Sequence, residues 1–367
     1  MNSGNIFGKQ LKIRDYSGFS GSYDTSGFEG QFLEFVRQWN NGTEFFKFHT
    51  SGSTGKPKEI DFSRKAIIGS AMLTGRYLGL QPDDTALLCM PLEYVAGKMM
   101  LARAIVLDLF LVLSKPVANP LKSISEITGI DFAAMTPMQV QECLSDPVTS
   151  MQLRNIKCLI IGGGPINPDL EEQLANFPNR VFETYGMTET LTHIAMKKIN
   201  GSDRSDFFRV LPGIRIGTDS RNCLKIKAPH ITDSEIITND LIELRDDMHF
   251  RLLGRADNVI NSGGIKIIPE QIEKKLKKHI GKNFIITGEA DERLGERVIM
   301  IIEGYTDSES EVISSDSEFK TLNEIFAANL SPYEKPRKVY SVEKLLFTSA
   351  GKPVRGNITG LKPINNV

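Results

Sequence analysis

Residues 50–60, TSGSTGKPKEI, combine glycines, hydroxyl side chains and lysines in one short segment. Glycines let backbone N–H groups converge on an anion, and hydroxyl and ammonium groups can complete such a cage. The segment therefore indicates phosphate binding, although a surface turn rich in Ser, Gly and Lys would have the same composition. The P-loop NTPase pattern GxxxxGK[ST] does not fit, because Thr50 replaces its first glycine and Pro57 replaces its Ser or Thr.

The elements around this loop alternate between strand and helix patterns as far as about residue 205. Such alternation predicts a mainly parallel sheet with helices on both faces. Ser63 and Asn167 are predicted helix caps, and Pro137 and Pro168 are predicted first helical residues. The predicted strands are 44–50, 58–63, 84–91, 131–137, 157–164 and 180–186, and the predicted helices are 64–79, 101–110, 138–145 and 168–177.

A different pattern begins near residue 205, where short alternating stretches indicate antiparallel strands. After Gly254 and Arg255 a compact unit of mixed elements follows, with helices predicted over 269–280 and 317–330. We therefore expect an α/β protein with two domains. Residues 1–254 would form a large domain with a mainly parallel sheet plus short antiparallel strands, and residues 255–367 a small, mobile α+β domain.

Composition restricts the class of protein. A net charge of −1 gives no reason to expect nucleic acid or an anionic membrane surface as a partner. Four cysteines without CxxC spacing argue against a zinc site and a disulfide framework and suit a reducing cytoplasm. No signal sequence is evident at the N-terminus, and the most apolar stretch, 104–113, is too short to span a bilayer. We expect a cytoplasmic protein, and the sequence is compatible with either a monomer or a homo-oligomer.

Five segments, in this order, resemble motifs of the adenylate-forming superfamily, which comprises acyl-CoA synthetases, nonribosomal-peptide adenylation domains and luciferases. The resemblance covers nearly the whole chain, from about residue 45 to 356. Residues 50–60 resemble its phosphate loop, [ST]SG[ST]TGxPK. The others are IGGGP at 161–165, ETYGMTET at 183–190, TNDL at 238–241, and the pair GRADNVINSGGIKIIPEQIE at 254–273 and FTSAGKPVRG at 347–356.

The resemblance implies a site for ATP and Mg²⁺. The residues implied to wrap the β- and γ-phosphates are Thr50, Ser51, Gly52, Ser53, Thr54, Gly55 and Lys56. Those implied on the adenine side are Gly163, Gly164, Pro165, Thr184, Tyr185 and Gly186, with Tyr185 stacking on the ring unless it is a core tyrosine. Glu189 would hold Mg²⁺, which prefers oxygen ligands, and Thr188 would touch the α-phosphate. Asp240 and Arg255 would bind the ribose, although Asp240 could also be a simple turn aspartate.

Lys352 is the residue that we expect to serve the chemistry. A carboxylate attacking the α-phosphorus of ATP brings two anions together, and an ammonium group that reaches both reduces their repulsion. The alternative is a solvated surface lysine. The resemblance further implies a second step, in which the C-terminal domain turns about Asp257, withdraws Lys352 and brings in a loop with Gly263 and Gly264. A thiol, expected to be coenzyme A, then attacks the adenylate.

The chain departs from the family pattern in three places. Only about 48 residues precede the phosphate loop, so we expect part of the usual N-terminal region to be absent. TND replaces TGD at 238–240, and Tyr94 replaces the histidine of PLxHxxG.

MPLEYVAGKMM and YGMTETLTHIA resemble the o-succinylbenzoate–CoA ligase branch, which serves menaquinone synthesis. Its substrate is an aromatic dicarboxylate, so one carboxylate reacts and the other needs a polar anchor. Lys98, Thr192 and His193 are the candidates for that anchor, with Tyr94 near the acid pocket. A neutral core histidine and a solvated or helix-capping lysine are the alternatives for His193 and Lys98.

Two other functions are consistent with the sequence. The first keeps the fold but uses another aryl or short acid, or carrier-protein phosphopantetheine in place of coenzyme A. The second is a nucleotide-binding regulator without catalysis, and the presence of both Lys352 and Glu189 argues against it. Pyrophosphate release with a panel of acids tests the first alternative, and absence of acid-dependent pyrophosphate exchange into ATP would favour the second.

Overall fold

The computed structural model describes residues 7–13, 27–49, 59–124, 129–304, 315–346, 355 and 363–366. Contacts divide the chain into two compact units. The first comprises Met1–Gly217, Lys225–Ile236 and Leu244–Phe250, and the second comprises Thr218–Leu224, Ile237–Glu243 and Arg251–Val367. The predicted domain boundary near Arg255 stays a prediction.

Strands as far as residue 255 are numbered in chain order. They are β1 (Gln10–Lys12), β2 (Phe45–His49), β3 (Glu59–Ser63), β4 (Thr85–Leu88), β5 (Phe110–Leu113), β6 (Phe132–Met135), β7 (Cys158–Ile161), β8 (Arg180–Gly186), β9 (His193–Lys198), β10 (Phe208–Val210), β11 (Arg215–Thr218), β12 (Cys223–Lys227), β13 (Ile236–Asp246) and β14 (His249–Arg255).

The main sheet of the first unit runs in the order β1-β5-β4-β6-β7-β8-β9-β10. The pairs β5–β4, β4–β6, β6–β7 and β7–β8 are parallel, whereas the pairs β1–β5, β8–β9 and β9–β10 are antiparallel. Every residue of β4, β6 and β7 is buried, as expected for apolar strands covered on both faces. The predicted α/β class with a mainly parallel sheet is confirmed.

Six α-helices accompany these strands in the described part of the first unit. They are α1 (Gly27–Asn40), α2 (Arg64–Leu78), α3 (Val95–Val106), α4 (Pro137–Leu144), α5 (Pro147–Asn155) and α6 (Pro168–Ala175). The predicted caps are confirmed, since Ser63 Oγ accepts from Ala66 N at 3.2 Å and Asn167 Oδ1 from Leu170 N at 2.8 Å. The predicted helix over 101–110 was misplaced, because α3 begins at Val95 and ends before β5.

Helices α1 and α5 were not predicted. Helix α1 buries Phe32, Phe35 and Val36, a helical spacing that the sequence pattern contained. In α5, Asp146 caps the helix by accepting from two backbone N–H groups, and Pro147 opens it. Both helices carry recognisable local signals.

Strands β2 and β3 form a separate antiparallel ribbon, in which Phe45 faces Ser63 and His49 faces Glu59. Residues 50–58, which hold the predicted phosphate loop, join these two strands and lie outside the described residues. The ribbon therefore fixes both ends of the segment that the sequence singles out.

In its described residues, the second unit contains a smaller sheet and two further helices. Its elements are β15 (Ile260–Ser262), β16 (Ile265–Ile267), α7 (Pro269–Leu276), β17 (Phe284–Asp291), β18 (Gly295–Glu303), α8 (Ser315–Asn329), β19 (Lys338–Val342) and β20 (Pro363–Asn366). The sheet order is β16-β15-β18-β19-β20, with β17 also paired to β18. Ile272 and Leu276 of α7 and Phe326 of α8 pack on it in one apolar core. This is the predicted small α+β unit.

In the part of the chain that is described, no helix combines the length and the apolar character needed to cross a bilayer.

Candidate functional site

Eight predicted site residues lie outside the described residues. They are Thr50, Ser51, Gly52, Ser53, Thr54, Gly55 and Lys56 of the phosphate loop, and Lys352. Their predicted roles stay predictions. The described neighbours of these segments, namely the β2–β3 ribbon and Arg355, show where the chain enters and leaves them.

The predicted adenine-side turn, Gly163–Gly164–Pro165, follows the end of β7. Gly163 has φ of 85°, in the left-handed region that favours glycine. Thr184 Oγ1 of the neighbouring strand β8 donates to the carbonyl of Ile161 at 3.2 Å. Because β7 and β8 are parallel, their carboxyl ends meet at one edge of the sheet, where ligands of open α/β sheets bind. The structure thus brings two of the predicted motifs together.

A buried ion network, which was not predicted from the sequence, holds this edge in place. Lys197 Nζ of β9 lies 2.7 Å from Glu183 Oε2 and 3.5 Å from Glu171 Oε2. Glu183 Oε1 also accepts from Ile166 N, immediately after the GGGP turn, at 3.4 Å. Burial opposes the charge of Lys197, but the two carboxylates outweigh it and raise its pKa. This network ties the turn to the strand that carries Thr184 and Tyr185.

Tyr185 sits among aromatic rings of the first unit. Its ring makes edge contacts with Phe250 at 5.2 Å and Phe208 at 6.0 Å between centroids. These contacts agree with the alternative of a core tyrosine. Stacking of Tyr185 on adenine remains a prediction.

Gly186 ends β8, and a short 3₁₀ turn, Thr188–Thr190, follows it. Thr188 is buried and Glu189 is exposed. Among the described residues there is no cluster of three or more His, Cys, Asp or Glu side chains that could hold a metal ion. Mg²⁺ commonly binds through one or two carboxylates together with substrate phosphates and water, so a single exposed carboxylate such as Glu189 fits the predicted role.

Thr192 and His193 follow this turn and join a directed chain of hydrogen bonds. His193 is 7% exposed, and its Nε2 lies 3.0 Å from Thr74 Oγ1. The Thr74 hydroxyl donates to the Ser70 carbonyl at 3.2 Å, so His193 Nε2 carries the proton and donates to Thr74. Burial, together with the nearby Arg103 charge, lowers the pKa of His193 well below its usual value. His193 is therefore neutral.

Arg103 completes this chain, and it was not among the predicted residues. Its Nη2 donates to Thr192 Oγ1 at 2.7 Å, which leaves the Thr192 hydroxyl free to donate to His193 Nδ1 at 3.4 Å. Arg103 is 2% exposed, and its Nε has no hydrogen-bond partner in the described part of the chain. The signal in the sequence was an arginine inside an apolar helix, VAGKMMLARAIV. We call Arg103, Thr192, His193 and Thr74 the Arg103 cluster.

Lys98 and Tyr94 lie at the start of α3, and both contact the β2 ribbon. Lys98 Nζ donates to the carbonyl of Lys47 at 2.7 Å and lies 5.3 Å from the centroid of the Phe48 ring. Tyr94 bridges to His49, the last described residue before the predicted phosphate loop. Burial lowers the pKa of the Lys98 ammonium. These contacts place both residues beside the entrance of the phosphate loop, and the anchoring role of Lys98 remains a prediction.

Predicted ribose and hinge residues meet within the second unit. Arg255 Nη1 donates to Asp240 Oδ1 at 3.1 Å, and its Nη2 donates to Asp257 Oδ2 at 2.9 Å. Asn239, which replaces the glycine of the TGD pattern, donates to both Asp257 oxygens at 3.1 and 3.2 Å. The structure thus joins the ribose pair to the proposed hinge residue through Arg255.

Gly263 and Gly264 form the two-residue turn between β15 and β16. Their φ values are 58° and 83°, as the tightest hairpin turns require. A shallow pocket beside this turn is lined by Ser262, Gly263, Tyr333, Lys335 and Arg337, among others. Two basic side chains and an aromatic ring thus surround the predicted thiol-delivery loop.

Comparison with known proteins places this geometry in a family. Residues 33–216, half of the chain, match the sequence model of the family described as AMP-binding enzyme. A 2-succinylbenzoate–CoA ligase of Bacillus mycoides is 25% identical over 342 residues, which cover 85% of this chain and 69% of that protein. The same enzyme of Bacillus cytotoxicus is 26% identical over 346 residues with the same coverage.

Two solved structures have the same fold. An acyl-CoA synthetase (AMP-forming)/AMP-acid ligase II-like protein from Dyadobacter fermentans is 36% identical, with a TM-score of 0.62 and coverage of 91% of this chain and 94% of that one. The o-succinylbenzoate CoA synthetase of Bacillus subtilis, in complex with its acyl-adenylate intermediate, is 21% identical, with a TM-score of 0.70 and coverage of 86% and 69%. At 21% identity, the likeness to the Bacillus subtilis structure shows a shared fold and no more. The predicted membership of the adenylate-forming superfamily is therefore confirmed, and the chain belongs to the AMP-binding enzyme family.

Proposed function

We propose that this protein is an ATP-dependent, AMP-forming acid–CoA ligase that converts o-succinylbenzoate to o-succinylbenzoyl-CoA, a reaction of menaquinone biosynthesis. The carboxylate and ATP first give an acyl-adenylate and pyrophosphate, and the thiol of coenzyme A then displaces AMP. The family, and the names of the curated relatives, support this reaction class. Glu189 would hold Mg²⁺, which would supply positive charge to offset the negative charge of the phosphates. The protein works in the cytoplasm, in keeping with its four unpaired cysteines.

One observation favours a dicarboxylate as the acid. The Arg103 guanidinium is buried, and no carboxylate among the described residues offsets the effect of that burial on its charge. Burial lowers its pKa to about 9, which still leaves it charged at neutral pH. A buried charge without a counter-ion is unfavourable, and a bound anion would remove that cost. The second carboxylate of the substrate supplies such an anion.

The position of Arg103 suits this role. It bonds Thr192 and lies beside His193, two residues already predicted for the acid pocket at the end of the YGMTET segment. His193 is neutral, so the Arg103 cluster offers a single positive charge together with hydroxyl groups. A monocarboxylic aryl acid would leave that charge unpaired after its only carboxylate had reacted.

Coenzyme A, rather than a carrier protein, is favoured by the pocket beside Gly263. Lys335 and Arg337 offer two positive charges for the phosphates of a free nucleotide, and Tyr333, 63% exposed, offers a ring for stacking on its base. A phosphopantetheine arm on a carrier protein lacks that nucleotide.

The remaining roles follow the family resemblance. Residues 50–56 hold the β- and γ-phosphates, Glu189 holds Mg²⁺, Asp240 and Arg255 hold the ribose, and Lys352 reaches the α-phosphorus. Residues 255–367 form the moving part, with Asp257 as its hinge.

Two analogues that each lack one carboxylate of o-succinylbenzoate test the proposal, namely 3-benzoylpropionate and 2-butanoylbenzoate. Wild-type protein should prefer the diacid in acid-dependent pyrophosphate exchange. In Arg103→Met, kcat/KM for the diacid should fall roughly 10- to 100-fold, as for a lost charge-assisted hydrogen bond, while the analogue that lacks the anchored carboxylate should lose much less.

Lys98→Met tests the other predicted cationic anchor, a lysine of the same helix whose ammonium bonds the β2 ribbon. If Arg103 holds the second carboxylate, Lys98→Met leaves the preference for the diacid unchanged, and loss of that preference in Lys98→Met but not in Arg103→Met would assign the anchor to Lys98. Equal use of benzoate and o-succinylbenzoate by the wild-type protein would refute the substrate assignment, and absence of exchange with every acid would favour a non-catalytic regulator. Pantetheine tested against coenzyme A decides whether the nucleotide is recognised.

A further inference from the structure

Arg355 lies three residues after Lys352, and its side chain is held by two elements of the second unit. Nη1 donates to Glu273 Oε1 of α7 at 2.6 Å, and Nη2 donates to Glu273 Oε2 at 2.8 Å. This is the bidentate geometry that guanidinium and carboxylate groups favour. Nη1 also donates to the carbonyl of Ile286 in β17 at 2.5 Å. One side chain therefore fastens this part of the chain to both α7 and β17.

The pair is largely shielded from water. The side chains of Arg355 and Glu273 are 12% and 21% exposed. Glu273 Oε1 accepts a further hydrogen bond from Ile286 N at 2.8 Å. Burial raises the pKa of Glu273, while the Arg355 guanidinium and the Ile286 N–H stabilise its carboxylate. A shielded pair with this many directed bonds fixes a geometry far better than an exposed pair does.

The same cluster reaches the residue that follows the proposed hinge. Arg355 Nη2 lies 3.7 Å from Glu270 Oε1, and that oxygen accepts from Asn258 Nδ2 at 2.6 Å. Asn258 directly follows Asp257. We call Arg355, Glu273, Glu270 and Asn258 the Arg355 anchor. It links Arg355, three residues after Lys352, to Asn258, which directly follows the proposed hinge residue Asp257.

We propose that Arg355 is a positioning residue for Lys352. Three residues span at most about 11 Å when fully extended, so the anchor limits where the backbone of Lys352 can lie. A rotation at Asp257 would then carry Lys352 together with α7 and β17, instead of leaving it to move on its own. This inference rests on the proposed function, because it takes Lys352 as the group that assists adenylate formation.

The test removes both partners of the buried pair, since removing one alone would leave a buried charge and could unfold the protein. Replacing an ion pair by two apolar side chains is often neutral for stability. In R355M/E273M, pyrophosphate exchange should fall on the order of 10- to 100-fold, as expected when a reacting group is displaced by about 1 Å. Conversion of a supplied acyl-adenylate by coenzyme A should change less than about threefold.

A matched control comes from the same helix. Lys275 of α7 pairs with Glu334 at 2.7 Å, with the lysine 45% exposed, and this pair does not contact Arg355. K275M/E334M should leave both half-reactions within about threefold of wild type. Equal loss of both half-reactions in R355M/E273M, or undiminished exchange, would overturn the positioning role.

A second readout does not depend on the substrate. Amide hydrogen exchange in 347–356 should become faster in R355M/E273M than in wild type and stay unchanged in K275M/E334M. Unchanged hydrogen exchange in R355M/E273M would overturn the anchor whatever the enzyme acts on. If the wild-type protein adenylated none of the acids tested, the proposed function would fail. Hydrogen exchange would still decide whether Arg355 holds this segment.

Discussion

At the scale of single residues, the Arg103 cluster places a charged guanidinium, that of Arg103, near a neutral imidazole, that of His193. Arg103 and His193 both lie beside the hydroxyl of Thr192. A protonated His193 would place a second positive charge next to a buried one, and both burial and the Arg103 charge oppose this. The cluster therefore keeps its hydrogen-bond directions fixed across the physiological pH range, with the histidine proton on Nε2.

This neutrality predicts a pH dependence of stability. In the folded state His193 stays unprotonated, whereas in the unfolded chain a histidine takes up a proton below about pH 6.5. The unfolded state then binds more protons, so stability should fall as pH decreases below about 6.5, by up to about 1.4 kcal/mol per pH unit for this group. His193→Gln should remove this part of the slope.

Urea unfolding at pH 7, 6 and 5 measures the effect. The only tryptophan, Trp39, lies in α1 of the first unit and reports the unfolding of that unit by fluorescence. His279→Gln is the control, because His279 is exposed and belongs to the second unit. Identical slopes for His193→Gln and wild type would show that His193 does not carry the effect.

At the scale of elements, the turn between β8 and β9 places Thr188, Thr192 and His193. Thr190 is buried and closes the turn, since its hydroxyl bonds the carbonyls of Met187 at 2.9 Å and Thr192 at 2.7 Å. The register between the two strands shifts at Gly186, which lies opposite His193. A Cβ at Gly186 would lie 2.3 Å from the Thr192 carbonyl oxygen and 2.5 Å from His193 Cα. Only glycine fits there without moving the backbone.

Gly186→Ala should therefore destabilise the first unit. Overpacking usually costs about 1–3 kcal/mol, and here the opposing atoms are backbone atoms that no rotamer change can relieve. We also expect acid-dependent pyrophosphate exchange to fall, because the strain moves Thr192 and His193. Trp39 fluorescence in urea measures the stability change.

Gly217→Ala is the matched control for that experiment. No atom of the described residues lies within 4 Å of a Cβ at Gly217, so the stability and the exchange rate of Gly217→Ala should stay near those of wild type. If Gly186→Ala behaved like Gly217→Ala, the close approach at the turn would not be a constraint.

At the scale of the whole molecule, the proposed two-step reaction requires motion at Asp257. The carboxylate of Asp257 accepts bonds from Arg255 and Asn239. Upstream of it, the Leu253 carbonyl accepts from Gln271 Nε2 of α7 at 2.6 Å, so a rotation at Asp257 has to break a bond that spans the hinge. Such a contact favours one orientation until substrate or product shifts the balance.

Asp257→Pro should restrict this motion. Proline holds φ near −65° and also restricts the residue before it. We expect one half-reaction to slow at least about tenfold while the other stays within about threefold, because only one orientation remains accessible. Pyrophosphate exchange and the conversion of supplied acyl-adenylate measure the two steps separately.

Asp257→Asn separates backbone freedom from charge in the same assays. It keeps the side-chain size and the backbone freedom, and we expect both half-reactions to continue. Unchanged rates in both steps for Asp257→Pro would remove Asp257 as the hinge.

Local features of this protein followed from its sequence alone. Caps at Ser63 and Asn167, prolines at helix starts and the apolar runs of β6 and β7 act over a few residues, so neighbouring residues suffice to predict them. The family motifs are equally local, since each is a short loop whose glycines and hydroxyls suit one part of the nucleotide. Helices α1 and α5 could have been predicted from the same kind of signal.

Only the tertiary structure decided which distant side chains meet. Arg103 bonds Thr192 across 89 positions of the chain, and Arg355 bonds Glu273 across 82. Lys98, predicted as an acid anchor, bonds the carbonyl of Lys47 across 51 positions. Hydrogen bonds and ion pairs act over a few ångströms, so the partner depends on how helices and strands pack, which the spacing of residues along the chain does not determine.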